Sequence, residues 1–363
     1  MRLVCCSMFL LLAAMRYGIA DDSTAPRYPD HSRLLVYLDA DGREHPVTTP
    51  ADWAIRRGHI LKGMEAAMGP LPDRSKLPPL DMRVTERLRE EGYQRLTISI
   101  VTEPGDRVAA YLYLPDGCKP GRRVAAVLAL QPTSQLGKGS VAGYNPRPNR
   151  AYALELAQRG YVVIAPDYPS FGDSKNYDFN ADNYVSGTMK GIVNHMRCVD
   201  LLESLEEVEP ERIGVIGHSL GGHNAIFVGV FDRRLKVIVS SSGWTPFHDD
   251  DMPSWTGPRY MPLLRTKYHC DPDRVPFDFY ELVAALAPRA FFSNSPQHDS
   301  DFAVAGVKKA VPKVRAVYTL FGGADQFEVR YPDSKHDFPP AVRREAYNFI
   351  DRVLNHKPVR RVP

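Results

Sequence analysis

Gly217-His218-Ser219-Leu220-Gly221 sets one serine between two glycines, directly after the apolar run Arg212–Ile216 and directly before a stretch containing Asn224-Ala225-Ile226-Phe227. A serine hydroxyl is a poor nucleophile until a base takes its proton, and the base needs a third group to fix its tautomer. A sharp strand-to-helix turn lifts such a hydroxyl above the sheet edge and aims the Leu220 N–H at the place where an oxyanion would form. The flanking glycines are needed because side chains there would meet the neighbouring strand and helix. By itself the pentapeptide is a weak signal, arising by chance in roughly one chain of this length in ten. Its placement and its partners make it specific.

A nucleophile on such a turn takes its acid, and then its base, from later strand ends. Past the apolar run Ala290–Ser293 comes Asn294-Ser295-Pro296-Gln297-His298-Asp299-Ser300-Asp301-Phe302, which offers Asp299 as the orienting acid with Asp301 in reserve. Past Val317–Phe321, read as the last strand, comes Lys335-His336-Asp337-Phe338, just ahead of the closing helix; His336 is the base. His298 precedes that strand, and His218 and His223 flank the serine too closely to approach it from an opposing loop. The loop after Val124–Leu130 runs Gln131-Pro132-Thr133-Ser134. Proline has no N–H, so Thr133 is the candidate second oxyanion donor beside Leu220.

The elements that must position these residues alternate along the chain. Leu96–Val101 and Val108–Leu114 read as a hairpin about Glu103-Pro104-Gly105-Asp106. Strands at Val124–Leu130, Tyr161–Ala165, Ile213–Ile216, Val237–Ser240, Ala290–Ser293 and Val317–Phe321 alternate with helices near Asn149–Arg159, Gly187–Glu207, Ser219–Val230, Phe277–Leu286, Val304–Ala310 and Pro340–Leu354. Such alternation calls for a mostly parallel sheet, here of eight strands, with helices on both faces and a leading antiparallel hairpin. The expected division is a signal peptide at 1–20, an N-terminal extension at 21–95 with a helix near Trp53–Met68, and an α/β catalytic domain at 96–357. The alternation breaks at 244–276, an irregular insertion near the site.

Composition narrows the partners. Of 363 residues, 44% are hydrophobic and 25% charged, with a net charge of +3, so no basic stripe or acidic run points to nucleic acid or to an anionic membrane. Arg2, the apolar run Leu3–Ala14 and Gly18-Ile19-Ala20 before Asp21-Asp22 have the form of a secretory signal, too short to span a bilayer. The expectation is a secreted or periplasmic protein, off the membrane after processing. Processing leaves Cys118, Cys198 and Cys270, an odd set that permits at most one internal disulfide and matches no zinc spacing. Nothing in the sequence sets the oligomeric state.

These motifs resemble the α/β-hydrolase superfamily and, more narrowly, its dienelactone-hydrolase, acetyl xylan esterase and prolyl-oligopeptidase-like branch. Glu103-Pro104-Gly105-Asp106-Arg107, the stretch Gly160–Asp167 and His336-Asp337-Phe338-Pro339 are similar to bacterial acetyl xylan esterase-like members. The resemblance implies hydrolysis of short-chain or acetyl esters, including carbohydrate esters, through an acyl-enzyme, with no cofactor and no metal. Relatives carry a His-Gly pair where this chain has Gln131-Pro132, a departure at the second oxyanion donor. Dienelactone hydrolases use cysteine, and dehalogenases and epoxide hydrolases of this fold use aspartate; Ser219 speaks against all three. A prolyl-oligopeptidase propeller does not fit in the extension. A small serine exopeptidase is the alternative, since such a site is indifferent to ester or amide, and a binding protein that has lost catalysis is the second.

Trp244 and Phe247, with Trp255 and Tyr260, are the aromatics offered to an acyl or sugar pocket. The same rings would serve equally to cover the sheet edge. Phe247-His248-Asp249-Asp250-Asp251 has metal-ligand residue types, but contiguous carboxylates diverge in an extended chain, so a solvated loop is expected there.

Overall fold

The computed structural model describes residues 25–119 and 121–359; the expected signal peptide lies outside them. A short antiparallel pair, β1 (Val36–Leu38) and β2 (Glu44–Pro46), leads into α1 (Pro50–Met68). Thr49 caps α1: its hydroxyl accepts from Asp52 N while the Asp52 carboxylate accepts from Thr49 N, with Pro50 filling the first turn. There follow β3 (Arg83–Glu90), β4 (Tyr93–Glu103), β5 (Asp106–Pro115), β6 (Val124–Leu130), α2 (Tyr152–Gln158) and β7 (Val162–Pro166). The second half runs α3 (Gly187–Ser204), β8 (Val208–His218), α4 (Leu220–Phe231), β9 (Leu235–Ser241), α5 (Leu263–Thr266), α6 (Phe279–Ala284), β10 (Ala290–Asn294), α7 (Val304–Leu320), β11 (Phe327–Arg330) and α8 (Pro340–Val353).

The main sheet has nine strands in the order β11-β10-β9-β8-β6-β7-β5-β4-β3, one more than the sequence pattern gives. From β11 to β7 every pairing is parallel; β5, β4 and β3 pair antiparallel. The additional strand is β3, a sheet edge carrying Arg83, Glu86, Arg87, Arg89 and Glu90. Charge on an open edge discourages pairing with another chain, and it hides the strand from a search for apolar alternation. Because β3 and the start of β4 lie in this sheet, the boundary at 95/96 falls inside a strand.

Two elements differ from expectation near the C-terminus. Val317–Phe321 is not a strand: Val317 to Leu320 are the last turn of α7. Val307, Ala310, Val314, Val317 and Tyr318 bury one helical stripe, and the exposed Pro312 sits on the opposite face, where the carbonyl it leaves unbonded meets water. The last strand is β11, four residues long.

Helices cover both faces of the central strands, and Val162–Pro166 and Ala290–Asn294 are buried at every residue. The extension packs on one face. Arg56 of α1 is fully buried and reaches Glu281 of α6 at 2.5 Å, and His31 meets the same carboxylate at 2.9 Å. Gly63 lies so close that an added Cβ would stand 2.2 Å from Pro276 O. Cys118, Cys198 and Cys270 are all free, and Cys198 is buried as a small hydrophobe. No described helix is long and apolar enough to cross a membrane.

Candidate active site

Register brings the predicted residues together. Gly217 of β8 pairs with Leu130 of β6, His218 with Ser241 of β9, Ser241 with Asn294 of β10, and Asn294 with Arg330 of β11. The carboxyl ends of the four strands preceding Thr133, Ser219, Asp299 and His336 therefore lie along one sheet edge, where sites form in open α/β sheets.

At the turn, Ser219 has φ 56° and ψ −119°, a strained conformation for a residue with a Cβ, costing about 1–3 kcal/mol. Its N–H is tied to Ser241 O at 2.8 Å, and its own carbonyl accepts from Gly222 N at 2.8 Å. A Cβ on Gly217 would stand 2.0 Å from Gly221 O, and one on Gly221 2.1 Å from Leu130 O. Both glycines are thus obligatory. Leu220 opens α4, so its N–H has no partner within the helix, and Leu220 lines the same cavity as Ser219.

His336 Nδ1 lies 2.9 Å from Asp299 Oδ1, and the same oxygen accepts the N–H groups of Asp301 at 2.9 Å and Phe302 at 3.1 Å. Burial works against the Asp299 charge, but the bond and charge of His336 and the backbone donors outweigh it and hold the carboxyl below its ordinary range. Asp301 is exposed and stands 3.6 Å from the other ring nitrogen, Nε2. The two aspartates are therefore separated by geometry, and Asp299 takes the orienting position. His298 turns away to Asp333 at 2.7 Å. His218 is buried against Ser241 Oγ at 2.9 Å, its ring 4.8 Å from that of His336, and burial pushes its pKa well down.

Sequence reasoning missed the residues that hold the base. Asp337 accepts from Arg150 at 2.6 Å and from Asn149 at 2.7 Å, and Asn294 Nδ2 donates to Asp337 O at 2.9 Å. A buried arginine preceding a short helix carries no local signature of a partner nearly two hundred residues away. Across the site, Lys138 pins the loop that bears Thr133. Its backbone N–H and ammonium take both oxygens of the buried Asp167, each at 2.7 Å.

Two cavities meet at Ser219 and Thr133. One, of about 350 Å³, is walled by Leu220, His223, Trp255, Tyr260, Phe302 and the carboxylates of Asp249, Asp250, Asp251 and Asp301. The other, of about 610 Å³, is walled by His336, His218, the segment Pro132–Leu136, Asn145, Arg147 and Arg150. Trp255 and Tyr260 line the first as expected, but Trp244 and Phe247 do not. Trp244 is buried in the core with Nε1 donating to Ser293 Oγ at 2.9 Å, and Phe247 packs edge-on to Phe277 and Phe279. Both occupy the start of the insertion, and Phe247 also meets Trp255 edge-on. Asp249, Asp250 and Asp251 do diverge, to Lys309, to Trp255 and to solvent, but Asp250 is turned inward rather than solvated. Among the described residues one group, Asp299, Asp301 and His336, brings three ligand-type atoms within 4.8 Å, and its inner pair is already bonded to itself.

A strand-turn-helix serine, a histidine three strands away and a buried aspartate behind it form the arrangement of a hydrolase site on an α/β sheet. The chain belongs to the alpha/beta hydrolase family, whose family model matches residues 139–355. It is similar to the hydrolase YtaP of Bacillus subtilis (strain 168), with 26% identity over 311 residues covering 82% of this chain and 100% of that protein. It is also similar to 4-O-methyl-glucuronoyl methylesterase 1 of Wolfiporia cocos (strain MD-104), at 23% identity over 93% of this chain and 85% of that one. Among solved structures, a glucuronoyl esterase from Solibacter usitatus aligns with TM-score 0.67 at 19% identity, covering 91% of this chain and 99% of the other. A family 15 carbohydrate esterase, a glucuronoyl esterase from Caldicellulosiruptor kristjansonii, gives 0.65 at 20% identity and 96% of each chain. At such identities these structures speak for the fold.

Proposed function

We propose that the protein is a serine hydrolase of carboxylic esters, with Ser219 as nucleophile, His336 as base and Asp299 as orienting acid. The observation that carries this reading is the 2.9 Å bond from His336 Nδ1 to a buried Asp299 carboxylate, which leaves Nε2 as the nitrogen turned to the cleft shared with Ser219. His336 takes the Ser219 proton as the oxygen attacks the ester carbonyl; the Leu220 and Thr133 N–H groups receive the oxyanion. The alcohol departs with the proton from His336. Water, activated by the same nitrogen, then attacks the acyl-enzyme, and the acid and free Ser219 are restored. Each step balances without a cofactor or metal.

Because the general acid must reach the leaving oxygen, the alcohol lies on the His336 side, in the larger cavity, and the acyl group in the smaller one. Small acyl groups on larger, polar alcohols fit that division, and the glucuronoyl esterases among its similar proteins support carbohydrate esters as the substrate class, there with the sugar on the acyl side. The apolar run before Asp21 supports export of the mature chain. Release of acetate from acetylated xylan beside hydrolysis of p-nitrophenyl acetate tests the reading, and a chain that cleaves neither is not this esterase.

A further inference from the structure

The larger cavity holds a cation that ester hydrolysis does not require. Arg147 lines the space of about 610 Å³ beside His336 and Ser219. Its backbone N–H donates to Asn145 Oδ1 at 2.9 Å, but its guanidinium has no hydrogen-bond or ion-pair partner among the described residues. Arg150, the other arginine of that wall, is matched by Asp337 at 2.6 Å. Asp301, the one carboxylate among the lining residues, stands 3.6 Å from His336 Nε2 and forms no ion pair with Arg147. The Arg147 charge nevertheless reaches the catalytic end of the cleft. Burial first, then the charges of Arg150, His336 and Arg147, push the pKa of His218 down.

The segment that presents Arg147 is stiff. Pro146 and Pro148 flank it, and a residue before proline is confined to extended backbone. Asn145 donates from Nδ2 to Ser140 Oγ, and Asn149 to Asp337 at 2.7 Å, so both ends of the loop are fixed. A charge held in this way loses little backbone freedom on binding. Next to it the surface turns apolar. Leu136, 43% exposed, lines the cavity, and Tyr144, 53% exposed, adjoins it across Gly139, where an added Cβ would stand 3.8 Å from Leu136 Cβ and 3.2 Å from Tyr144 Cδ2. A flat guanidinium takes a carboxylate through two parallel bonds, and an aromatic and an aliphatic side chain beside it suit the apolar face of a ring. A neutral alcohol would use the second feature and leave the first idle.

The geometry points to Arg147 as the residue that sets specificity for the leaving alcohol: it pairs with a carboxylate there, so the preferred substrates are short acyl esters of hydroxy acids, with the ring of a sugar acid or an aromatic acid along Leu136 and Tyr144. The assignment rests on the hydrolase reading above, which puts the alcohol on the His336 side of Ser219. Hydrolysis follows the steps already given. The carboxylate stays ionised and untouched by the chemistry, and the hydroxy acid leaves with the proton from His336.

Two acetates of matched shape test this on the full chain by release of the phenol: 4-acetoxybenzoate, and 4-acetoxybenzamide, in which a neutral amide replaces the carboxylate. Their intrinsic reactivities differ, so the benzoate-to-benzamide ratio of kcat/KM in the parent is set against the same ratio in Arg147→Gln. We expect that ratio to fall about fivefold in Arg147→Gln, the order of one guanidinium–carboxylate pair open to water, less in Arg147→Lys and further in Arg147→Glu. Acetate release from acetylated glucuronate and acetylated glucose, scored in the same way, tells a sugar acid from an aromatic one by which pair shows the larger fall. Ratios equal in parent and Arg147→Gln for both pairs overturn the subsite and leave the hydrolase reading standing. Calorimetry in the Ser219→Ala background separates the other failure. Binding of 4-hydroxybenzoate that weakens on adding Arg147→Gln, while that of 4-hydroxybenzamide does not, upholds the subsite even where no ester turns over. Equal weakening of the two, or none, overturns it.

Discussion

Asp299 meets His336 at 2.9 Å through an oxygen that also takes two backbone N–H groups, while its neighbour Asp301 stands 3.6 Å from the opposite ring nitrogen with its carboxylate in solvent. Two carboxylates two residues apart thus face different atoms of one imidazole. Asp299→Asn would present the wrong tautomer and should lower kcat by about 10⁴-fold, as in serine proteases. Asp301→Asn should cost no more than about tenfold on a neutral ester, since an exposed charge at that distance is largely screened. Kinetics of the two variants on p-nitrophenyl butyrate decide this, and the reverse ranking would transfer the orienting role to Asp301. The depressed Asp299 carboxyl has a corollary in stability. Its contribution is present above the unfolded-state value near about 4 and is lost as pH falls through the lower folded value.

The loop that carries His336 depends on Arg150. Its side chain is 6% exposed and takes the Asp337 carboxylate at 2.6 Å. Arg150→Met should lower kcat about tenfold or more with little change in KM, because it loosens the base rather than the substrate. Arg150→Lys should restore part of that loss. Steady-state kinetics that show a rise in KM alone would place Arg150 in substrate binding instead.

The extension is fastened by charge as well as by apolar contact. Arg56 and Glu281 are both essentially out of solvent and 2.5 Å apart, and the Glu281 carboxyl is held low against its burial by His31 and Arg56. Removing one partner of such a pair typically costs about 3–5 kcal/mol, because the other charge is stranded. Arg56→Met should therefore lower the midpoint of urea unfolding markedly, and the Arg56→Met/Glu281→Leu pair should recover much of it. A single variant as stable as the parent would show the pair to be solvated.

Asp278 gives the opposite dependence on pH. Burial raises its carboxyl from 3.8 to about 7, so the folded state binds its proton more tightly than the unfolded chain does. The stability this group lends is full below about pH 4 and is lost as pH rises toward 7, at up to about 1.4 kcal/mol for each pH unit crossed. Asn keeps an oxygen for the Phe247 and Phe279 N–H groups and does not ionise. Asp278→Asn should gain on the parent in thermal midpoint between pH 5 and 8. A difference flat across that range would mean that Asp278 ionises freely in the fold.

What could be read from the chain follows from how local the causes are. The turn at Ser219 is legible because strand, glycine, serine, glycine and helix are contiguous. Val124–Leu130 is legible to the residue because a strand covered on both faces must be uniformly apolar. Val317–Phe321 misleads because β-branched and aromatic residues suit a strand and a buried helix stripe alike, and Pro312 resembles a stop until its face is known to be solvent. The edge strand Arg83–Glu90 is charged for the reason that makes it hard to see. Residue type alone offers Trp244 and Phe247 to the pocket, yet which aromatics of the insertion reach the cavity, Trp255 rather than these two, is a tertiary property. The Arg150–Asp337 pair likewise joins segments far apart in the chain, which no local pattern announces.

The most direct test of the account is turnover of p-nitrophenyl acetate, butyrate and octanoate, beside acetylated xylan and an aminoacyl-p-nitroanilide, by the parent chain and by Ser219→Ala. The account predicts cleavage of the short esters that falls by at least about 10³-fold in Ser219→Ala. Ester cleavage that survives the loss of the Ser219 hydroxyl, or anilide cleavage that outpaces every ester, would contradict it.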